Sequence, residues 1–379
     1  MRTGIIIFCL VCISVCKITA QEVVPSTPKY GLSFIGVGDM MLGTHFPSPK
    51  YLPPNDDPWP LMQEVQPVFA SADVVFGNLE GAFLDEGEVF KRCRDTTKCY
   101  AFKTPTHYAP VLKKMGFNLI NLANNHIRDF GSPGMKTTRH LLDSMNIPYA
   151  GLLDKPIDIL EIHGMKVGLC GFSPNTGTIK INDISNATRI VQDLKRNCDY
   201  VVVSFHGGAE GAKHQHVTRE EELFYGENRG NVHAFSHAVI DAGADVVFGH
   251  GPHVTRSIEI YKGRFIAYSL GNFCTYSRFN LTGANALTPV IQIWTDETGK
   301  FEKGQIHAFR QIKGAGTFPD PSGHVIHKIK DLTRIDFPEL TRQLIIEDDG
   351  SFYMVQDRKL NSKGMVWEVN SFPLNMKLR

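Results

Sequence analysis

Short apolar segments alternate with helical segments from about residue 31 to residue 275, and this alternation most constrains the fold. The clearest case is Phe117–Gly131, where an apolar run ends abruptly in the polar sequence Asn124-Asn125-His126. An apolar run of this length bounded by polar residues is typical of a buried strand. Strands that alternate with helices predict an α/β core with sequential connections.

Several of these predicted strands end in residues that can bind metal ions or carry protons. In chain order the residues are Asp39, Glu80, Asn125, His126, His206, His250 and His253. Each of them alone is unremarkable, since a loop aspartate or a lone histidine usually has a structural role. In open α/β sheets, however, ligands bind just beyond the carboxyl ends of the strands. Carboxylate, amide and imidazole groups together suit a mixed oxygen and nitrogen site for Zn, Mn or Fe.

The third strand end adds an acid–base pair to this prediction. His126 directly follows Asn125, and Asp129 lies three residues further on. A histidine beside a metal ligand can protonate a leaving group, and a nearby carboxylate can orient its imidazole. The sequence therefore predicts His126 and Asp129 as catalytic residues.

At these positions the chain resembles the CapA family of capsule or poly-γ-glutamate synthesis proteins, within the calcineurin-like metallophosphoesterase superfamily. The resemblance rests on motifs in the family's order, across about two thirds of the chain. They are Gly38–Gly43, Gly77–Glu80, Tyr100–Gly131, His206–Glu210, Ala242–Val254 and Ile260–Phe273.

The resemblance implies a four-layer αββα sandwich with a metal centre between its loops. It implies a CapA-like metallophosphoesterase domain at residues 31–284. The residues after that domain contain strand-like runs, among them Met365–Val369, and predict a β-rich region at 285–379 that either completes the core or is appended to it. By position, the implied ligands of one or two divalent ions are Asp39, Glu80, Asn125, His206 and His253, with His250 as a further ligand. His126 matches the superfamily's catalytic histidine.

The chain also departs from the superfamily pattern in ways that bear on the number of metal ions. The first motif of the superfamily is Asp-x-His, but Met41 stands two residues after Asp39. The second motif supplies an aspartate, where this chain has Glu80 nearby. Gly207 and Gly251 replace an aromatic residue and a histidine that many members carry. A site with a single metal ion and a site without catalytic activity therefore both stay open as alternatives.

Residues 1–20 have the composition of a targeting segment. Arg2 precedes the apolar run Gly4–Cys16, and Ala20 ends a short polar stretch. The run is short for a membrane span and fits a secretory signal peptide cleaved after Ala20, with an uncleaved anchor as the alternative. Loss of these residues changes the formal net charge from +1 to −1, because Arg2 and Lys17 are their only charged side chains. We therefore expect a secreted or lumenal protein with no later membrane span and no nucleic-acid partner.

Cysteines and sequons further describe the expected secretory route. Cys93 and Cys99 lie close together in a polar loop, which suits a disulfide in an oxidising compartment. Asn186 and Asn280 each begin an Asn-x-Thr sequence and are candidate N-glycosylation sites. Cys170 lies in an apolar run and is expected in the core.

Two classes of function are open at this point. The residues favour a metal-dependent hydrolase acting on a phosphoester or a related amide, with Asn124 and Lys103 contacting an anionic substrate. The segment around Lys103 is locally basic, and a solvated loop is the alternative interpretation. The resemblance also implies a non-catalytic accessory that handles poly-γ-glutamate, with a polymer synthase as its partner.

Overall fold

A computed structural model describes residues 31–92 and 100–355, and these residues contain twenty β-strands and six α-helices. The first ten strands are β1 (Ser33–Met41), β2 (Val74–Leu79), β3 (Ala82–Phe83), β4 (Lys103–Thr104), β5 (Leu119–Asn121), β6 (Tyr149–Ala150), β7 (Ile157–Ile162), β8 (Met165–Phe172), β9 (Tyr200–His206) and β10 (Leu223–Phe224). The next ten are β11 (Glu227–Asn228), β12 (Val246–His250), β13 (Ile258–Tyr261), β14 (Arg264–Ala267), β15 (Asn272–Thr275), β16 (Leu287–Thr295), β17 (Phe301–Ile312), β18 (Gly316–Pro319), β19 (Leu344–Ile346) and β20 (Ser351–Met354). The helices are α1 (Gln66–Phe69), α2 (Pro110–Met115), α3 (Gly131–Ser144), α4 (Ile184–Lys195), α5 (Val232–Asp241) and α6 (His324–Asp336).

Two large sheets form the centre of the molecule. The first has ten strands in the order β19-β20-β17-β16-β1-β2-β5-β6, with β15 paired to β1 and β18 paired to β17. The second has six strands in the order β13-β14-β12-β9-β8-β7. Strands β1, β2, β5 and β6 run parallel in the first sheet, as do β8, β9, β12 and β14 in the second. The predicted α/β class is therefore confirmed.

Alternate strand residues face opposite sides of each sheet and so define four layers. In β1, Phe34 faces the core between the sheets, whereas Ile35 packs outward with residues of α1 and α2. In β9, Val202 faces the same inter-sheet core, and Val203 packs outward against α4 and α5. Because successive side chains of a strand point to opposite faces, each sheet is covered by apolar contacts on both sides. The predicted αββα sandwich is the observed arrangement.

The C-terminal region contributes strands to the first sheet. Strand β16 pairs antiparallel with β1, and β17 continues the sheet outward. Of the two alternatives for residues 285–379, the described part thus completes the core. Helix α6, which the sequence analysis did not predict, places Val325, Ile326 and Ile329 in the inter-sheet core. Its apolar residues recur at helical spacing, so the signal was present in the sequence. A strand predicted at 365–369 lies outside the described residues.

Local sequence signals explain several element boundaries. The Asn231 side chain accepts a hydrogen bond from the Ala234 N–H and caps α5. Gly116 ends α2 with a φ of 103°, a left-handed conformation that favours glycine. The predicted hairpin around Lys262-Gly263 joins β13 to β14. In contrast, the sequence Thr104–Met115 predicts a helix capped by Thr104 or Thr106, but α2 begins only at Pro110 because Lys103 and Thr104 pair with β3 as strand β4.

Candidate functional site

Strand register brings the predicted site residues to one edge of the sandwich. In the first sheet Asp39 of β1 lies beside Asn78 of β2, and Asn78 lies beside Asn121 of β5. In the second sheet His206 of β9 lies beside His250 of β12. The sequence predicts that the first strand stops before Asp39, but β1 extends through it to Met41. Asp39 is therefore held by strand pairing and not by a loop.

Four of the predicted metal ligands form a buried cluster. Nδ1 of His253 lies 3.1 Å from Asp39 Oδ2, and Nε2 of the same ring lies 3.6 Å from Glu80 Oε1. His206 Nε2 lies 3.8 Å from Glu80 Oε1, and its Nδ1 lies 3.9 Å from Asp39 Oδ1. The side chains of Asp39, Glu80 and His206 are wholly buried, whereas that of His253 is 14% exposed. The cluster joins residues from both sheets.

Polar atoms without hydrogen bonds indicate that this cluster can bind a cation. Among the described residues, both carboxylate oxygens of Glu80 and His206 Nε2 are buried and make no hydrogen bond, whereas Asp39 Oδ2 faces His253 Nδ1 at 3.1 Å. Asn125 Oδ1, one residue before His126, is also buried without a hydrogen bond. Buried polar atoms in native proteins almost always have a partner, and unpaired ones call for an explanation. These atoms are also the donor types that a divalent transition metal binds. The residues present therefore fit a metal ion.

The electrostatics of the cluster agree with this interpretation. Burial raises the pKa of Glu80 well above its usual value, and the neighbouring Asp39 carboxylate adds to the rise. Burial also opposes a charge on His253, but the Glu80 and Asp39 carboxylates outweigh it and raise the pKa of His253 to about 10. Asp39 has a lowered pKa because His253 overcomes the effect of burial. Protons thus neutralise carboxylates that a divalent cation would otherwise neutralise.

His126 and Asp129 form the predicted pair beside the cluster. His126 Nδ1 lies 2.6 Å from Asp129 Oδ2, and its Nε2 lies 3.9 Å from Glu80 Oε1. The Phe102 backbone N–H donates to the same Asp129 oxygen at 2.8 Å and fixes the carboxylate. Burial lowers the pKa of His126, and Asp129 opposes that effect. The pair therefore directs Nε2 toward the cluster.

Two predicted residues make different contacts from those expected. His250 Nε2 lies 3.0 Å from the Val37 carbonyl, and its Nδ1 lies 3.4 Å from Ser204 Oγ. Both of its nitrogens thus have partners away from the cluster, and we leave His250 out of the ligand set. Lys103 is buried, and its ammonium donates to the Gly87 carbonyl at 3.0 Å. Its expected contact with substrate stays a prediction.

Asn124 organises the turn that carries His126. Its Oδ1 accepts hydrogen bonds from the backbone N–H groups of His126 and Ile127, both at 3.0 Å. Its Nδ2 donates to the Leu79 carbonyl at 2.8 Å. These bonds join the turn after β5 to the end of β2. Asn124 therefore positions the turn that carries His126, and its predicted substrate contact stays a prediction.

Three residues of the site were not predicted from the sequence. Asn78 Nδ2 donates to Asp39 Oδ1 at 2.8 Å and lies 3.3 Å from His206 Nδ1. Asn272 Oδ1 lies 3.1 Å from His253 Nδ1. Both belong to motifs of the family resemblance, so motif membership was an available signal. Lys91 Nζ lies 3.2 Å from Asp129 Oδ1, a contact that only the local basic charge of its segment could have suggested.

The remaining predicted features lie apart from this site. Asn280 is exposed, and Asn186 is half-buried in the first turn of α4. Cys170 is buried in the core as expected. Cys93, Cys99 and the targeting segment lie outside the described residues. In the part of the chain that the structure describes, no helix is both long and apolar enough for a membrane span.

Comparison with known proteins gives a family match over most of the described chain. The family model "Bacterial capsule synthesis protein PGA_cap" matches residues 33–277. The "PGA biosynthesis protein CapA" of Bacillus subtilis is 30% identical over 287 residues, which cover 72% of this chain and 70% of that protein. The "Capsule biosynthesis protein CapA" of Bacillus anthracis is 29% identical and covers 68% of this chain and 62% of its own length.

Solved structures are more distant. The 5'-nucleotidase precursor from Thermus thermophilus aligns with 83% of this chain and 61% of its own chain, at 13% identity and a TM-score of 0.40. The sequence match to the capsule synthesis family is therefore the informative one.

Proposed function

Because this chain belongs to the PGA_cap family of bacterial capsule synthesis proteins, we propose that it acts in the synthesis of a poly-γ-glutamate capsule-type polymer. Within that role we propose a metal-dependent hydrolase that cleaves an amide or phosphoester bond in an anionic substrate. The names of the CapA relatives support the polymer, and the residues of the site support the reaction class.

One observation carries the proposed reaction. Buried atoms of Glu80 and His206 that make no hydrogen bond lie with Asp39 beside an acid–base pair whose Nε2 is 3.9 Å from Glu80 Oε1. A structural ion site would require ligands alone. The addition of His126 and Asp129, held at 2.6 Å from each other, favours chemistry at this site.

The ligands we propose for the ion are Asp39, Glu80, Asn125, His206 and His253. When bound, a divalent ion of this kind lowers the pKa of a coordinated water and stabilises negative charge at a tetrahedral centre. Asn78 and Asn272 hold the side chains of Asp39 and His253 in place through their amide groups. Positioned ligands of this kind are what such a site needs for both affinity and orientation.

His126 is the proposed general acid. Asp129 accepts a hydrogen bond from the Nδ1–H group, which orients the ring and stabilises its protonated form. The leaving group then receives the proton that His126 carries on Nε2. Phe102 packs against the imidazole with ring centroids 4.2 Å apart, and Phe279 packs on Phe102 at 5.1 Å. These rings limit the access of water to the pair.

The half-buried ammonium of Lys91 supports an anionic substrate. It lies 3.3 Å from His126 Nδ1 and 3.2 Å from Asp129 Oδ1, at the side of the acid–base pair. Arg229 is a second buried cation near the cluster and lies 3.0 Å from Glu210. A polymer of γ-linked glutamate carries one free carboxylate on each residue, so positive charge beside the reacting bond favours its binding.

Met41 favours a second candidate function. At the position where the superfamily has a histidine, Met41 Sδ accepts the Gly43 N–H at 3.3 Å and is buried. The Met41 side chain, buried and bonded to the Gly43 N–H, therefore offers no ligand for a second ion. The second candidate is therefore an accessory subunit that binds one metal ion and handles the polymer without cleaving it.

Metal content and activity together test the two candidates. The mature protein is purified, its metals are measured by elemental analysis, and cleavage of poly-γ-glutamate and of a phosphoester is assayed. For the hydrolase we expect bound transition metal, and we expect His206→Ala and His253→Ala to lose the metal bound at this cluster together with the activity. The matched control His163→Ala changes an exposed histidine and should alter neither the metal content nor the activity. Metal without cleavage of either substrate supports the accessory function, and absence of metal contradicts both.

The acid–base pair is tested separately from the ion. Asp129→Asn keeps the size of the side chain but removes the charge that faces His126. We expect activity to fall by roughly 10²–10⁴-fold with metal content unchanged. Asp154→Asn, at an exposed ion pair with Arg139, serves as the control. Full activity in Asp129→Asn would exclude His126 as an acid oriented by this carboxylate.

We further propose that the protein is secreted after cleavage at Ala20 and associates with a polymer synthase. Mass spectrometry of the secreted protein should give Gln21 as its first residue. A cell-bound form that retains residues 1–20 would instead indicate an anchor. Co-purification with the synthase tests the association, and the accessory function depends on it more strongly than the hydrolase does.

A further inference from the structure

A second group of metal-ligand side chains lies outside the site described above. His233 and His237 on α5 and Glu259 on β13 each offer one ligand atom, and these atoms lie within 4.8 Å of one another. Ile258 and Ile260, the strand neighbours of Glu259, face the inter-sheet core. Glu259 therefore faces the outer side of the second sheet, where α5 packs. The group shares no residue with the cluster around Asp39.

Helical spacing places the two histidines on one face of α5. Residues four apart lie one above the other on a helix surface, and paired histidines at this spacing are a recurrent zinc-binding arrangement. The ring centroids of His233 and His237 are 4.1 Å apart. His237 Nε2 lies 3.0 Å from both carboxylate oxygens of Glu259. Three ligand atoms from two elements thus lie close together.

The charge of Glu259 indicates that a cation belongs here. Its side chain is 7% exposed, and its contacts are His237 and the Tyr268 hydroxyl, which donates at 2.6 Å. Among the described residues no lysine or arginine forms an ion pair with it. A buried carboxylate is costly unless a positive charge compensates it, and His237 supplies that charge only when it is protonated. A metal ion would supply a positive charge that does not depend on this proton.

We propose that His233, His237 and Glu259 bind a zinc ion, with water as the fourth ligand. Two imidazoles and one carboxylate are a known donor set for tetrahedral zinc with one open position. Bonds of about 2.0–2.1 Å place ligand atoms roughly 3.3 Å apart, so atoms that now lie within 4.8 Å of one another would move closer by at most about 1.5 Å. The His237 side chain is 23% exposed, which leaves a route for the ion and the water.

Such an ion would link α5 to β13, the edge strand of the second sheet. Tyr261 stacks on His237 with ring centroids 3.6 Å apart, and Phe337 stacks on His233 at 6.0 Å. These rings restrict the imidazoles to the orientation that faces Glu259. The ion therefore stabilises the fold, and it does not take part in the proposed reaction.

Zinc titration of the metal-depleted full chain tests this site. The titrated protein carries Asp39→Asn and His206→Ala, which disable the first site, and zinc alone is added. We expect one zinc ion per chain by calorimetry and by elemental analysis after dialysis. Adding Glu259→Gln should weaken binding at least 100-fold, whereas His140→Gln, an exposed histidine of α3, should leave it unchanged. Absence of zinc binding in this background overturns the proposal.

Two further measurements keep the result independent of any single variant. Cobalt added in place of zinc should give the intense visible absorption of a tetrahedral site, and an octahedral spectrum would contradict the proposed coordination. In the otherwise unmodified chain, His237→Gln should remove one equivalent of zinc and the rise in melting temperature that this zinc produces. Unchanged zinc content in His237→Gln would show that His237 and Glu259 form only an ion pair.

Discussion

The pKa values of individual ligands describe how the proposed centre works without metal. The two buried carboxylates, Asp39 and Glu80, share His253, whose pKa they raise to about 10. At neutral pH this histidine carries a proton that compensates their charge. A metal ion needs the same imidazole in its neutral form, so protons and metal compete for one set of residues.

This competition predicts that metal binding releases protons. Below the pKa of about 10, His253 is protonated and must lose a proton to become a ligand. We expect about one or two protons per ion at pH 7, the second from Glu80, whose pKa burial also raises. Metal affinity should therefore fall as the pH decreases, by about tenfold per unit for each proton released. Calorimetry in buffers of different ionisation enthalpy measures the number.

The His163→Ala variant provides the control for this measurement. It removes an exposed histidine outside the cluster and should release as many protons as the unmodified chain. A proton count of zero in the unmodified chain would mean that His253 is neutral before the metal binds.

At the scale of elements, one aromatic pair and one glycine illustrate how closely the two sheets pack. Phe76 of β2 stacks on Phe248 of β12 with ring centroids 5.2 Å apart. Gly36 of β1 faces the same ring, and a Cβ added there would lie 2.3 Å from Phe248 Cε1. The absence of a side chain at residue 36 thus makes room for the phenyl ring that joins the sheets.

A double-mutant cycle tests this contact. Phe248→Ala should reduce the free energy of unfolding by about 3–5 kcal/mol, because it leaves a cavity. Gly36→Ala alone should cost about 1–3 kcal/mol through overpacking. In the Phe248→Ala background the cost of Gly36→Ala should shrink, with a coupling of about 0.5–3 kcal/mol. Urea denaturation of the four proteins measures each term.

The exposed substitution Leu223→Ala is the reference for that series, and it should change stability by no more than about 0.5 kcal/mol. Additive effects of Gly36→Ala and Phe248→Ala would mean that the two positions do not share the packing space described here.

At the scale of the whole molecule, the proposed centre is a joint between the two sheets. Asp39 and Glu80 come from β1 and the end of β2 in the first sheet. His206 and His253 come from β9 and the loop after β12 in the second. An ion held by all four would link the two halves of the sandwich in addition to their shared core.

Removal of metal should therefore destabilise the whole fold. At a free metal concentration of about 100 times the Kd, binding stabilises the native state by about 2.7 kcal/mol. We expect a chelator to lower the melting temperature by roughly 5 °C, as measured by calorimetry. In the His206→Ala variant most of this fall in melting temperature should disappear. The fall that remains should depend on His237, a ligand of the proposed second zinc site. An unchanged melting temperature in the presence of chelator would argue against an ion that links the sheets.

Much of this arrangement could be predicted from the sequence alone. Apolar runs and their polar ends determined the α/β class and the positions of Asp39, Glu80, His206 and His253, because strand ends meet at a sheet edge. The pairing of His126 with Asp129 also followed from local sequence, since three residues suffice to bring them together in a turn. These features depend on short-range order along the chain.

The tertiary structure alone decided which side chains have free atoms at the site. His250 and His253 are three residues apart, yet His250 contacts the Val37 carbonyl of the other sheet, and His253 contacts the carboxylates. Asn78 donates a hydrogen bond to Asp39, and Glu259 contacts His237. Both contacts join residues that are far apart in the sequence, so no local sequence pattern predicts them. The partner that a side chain contacts depends on how segments distant in the sequence pack together. Hydrophobic periodicity, in contrast, indicates only the secondary structure of its own segment.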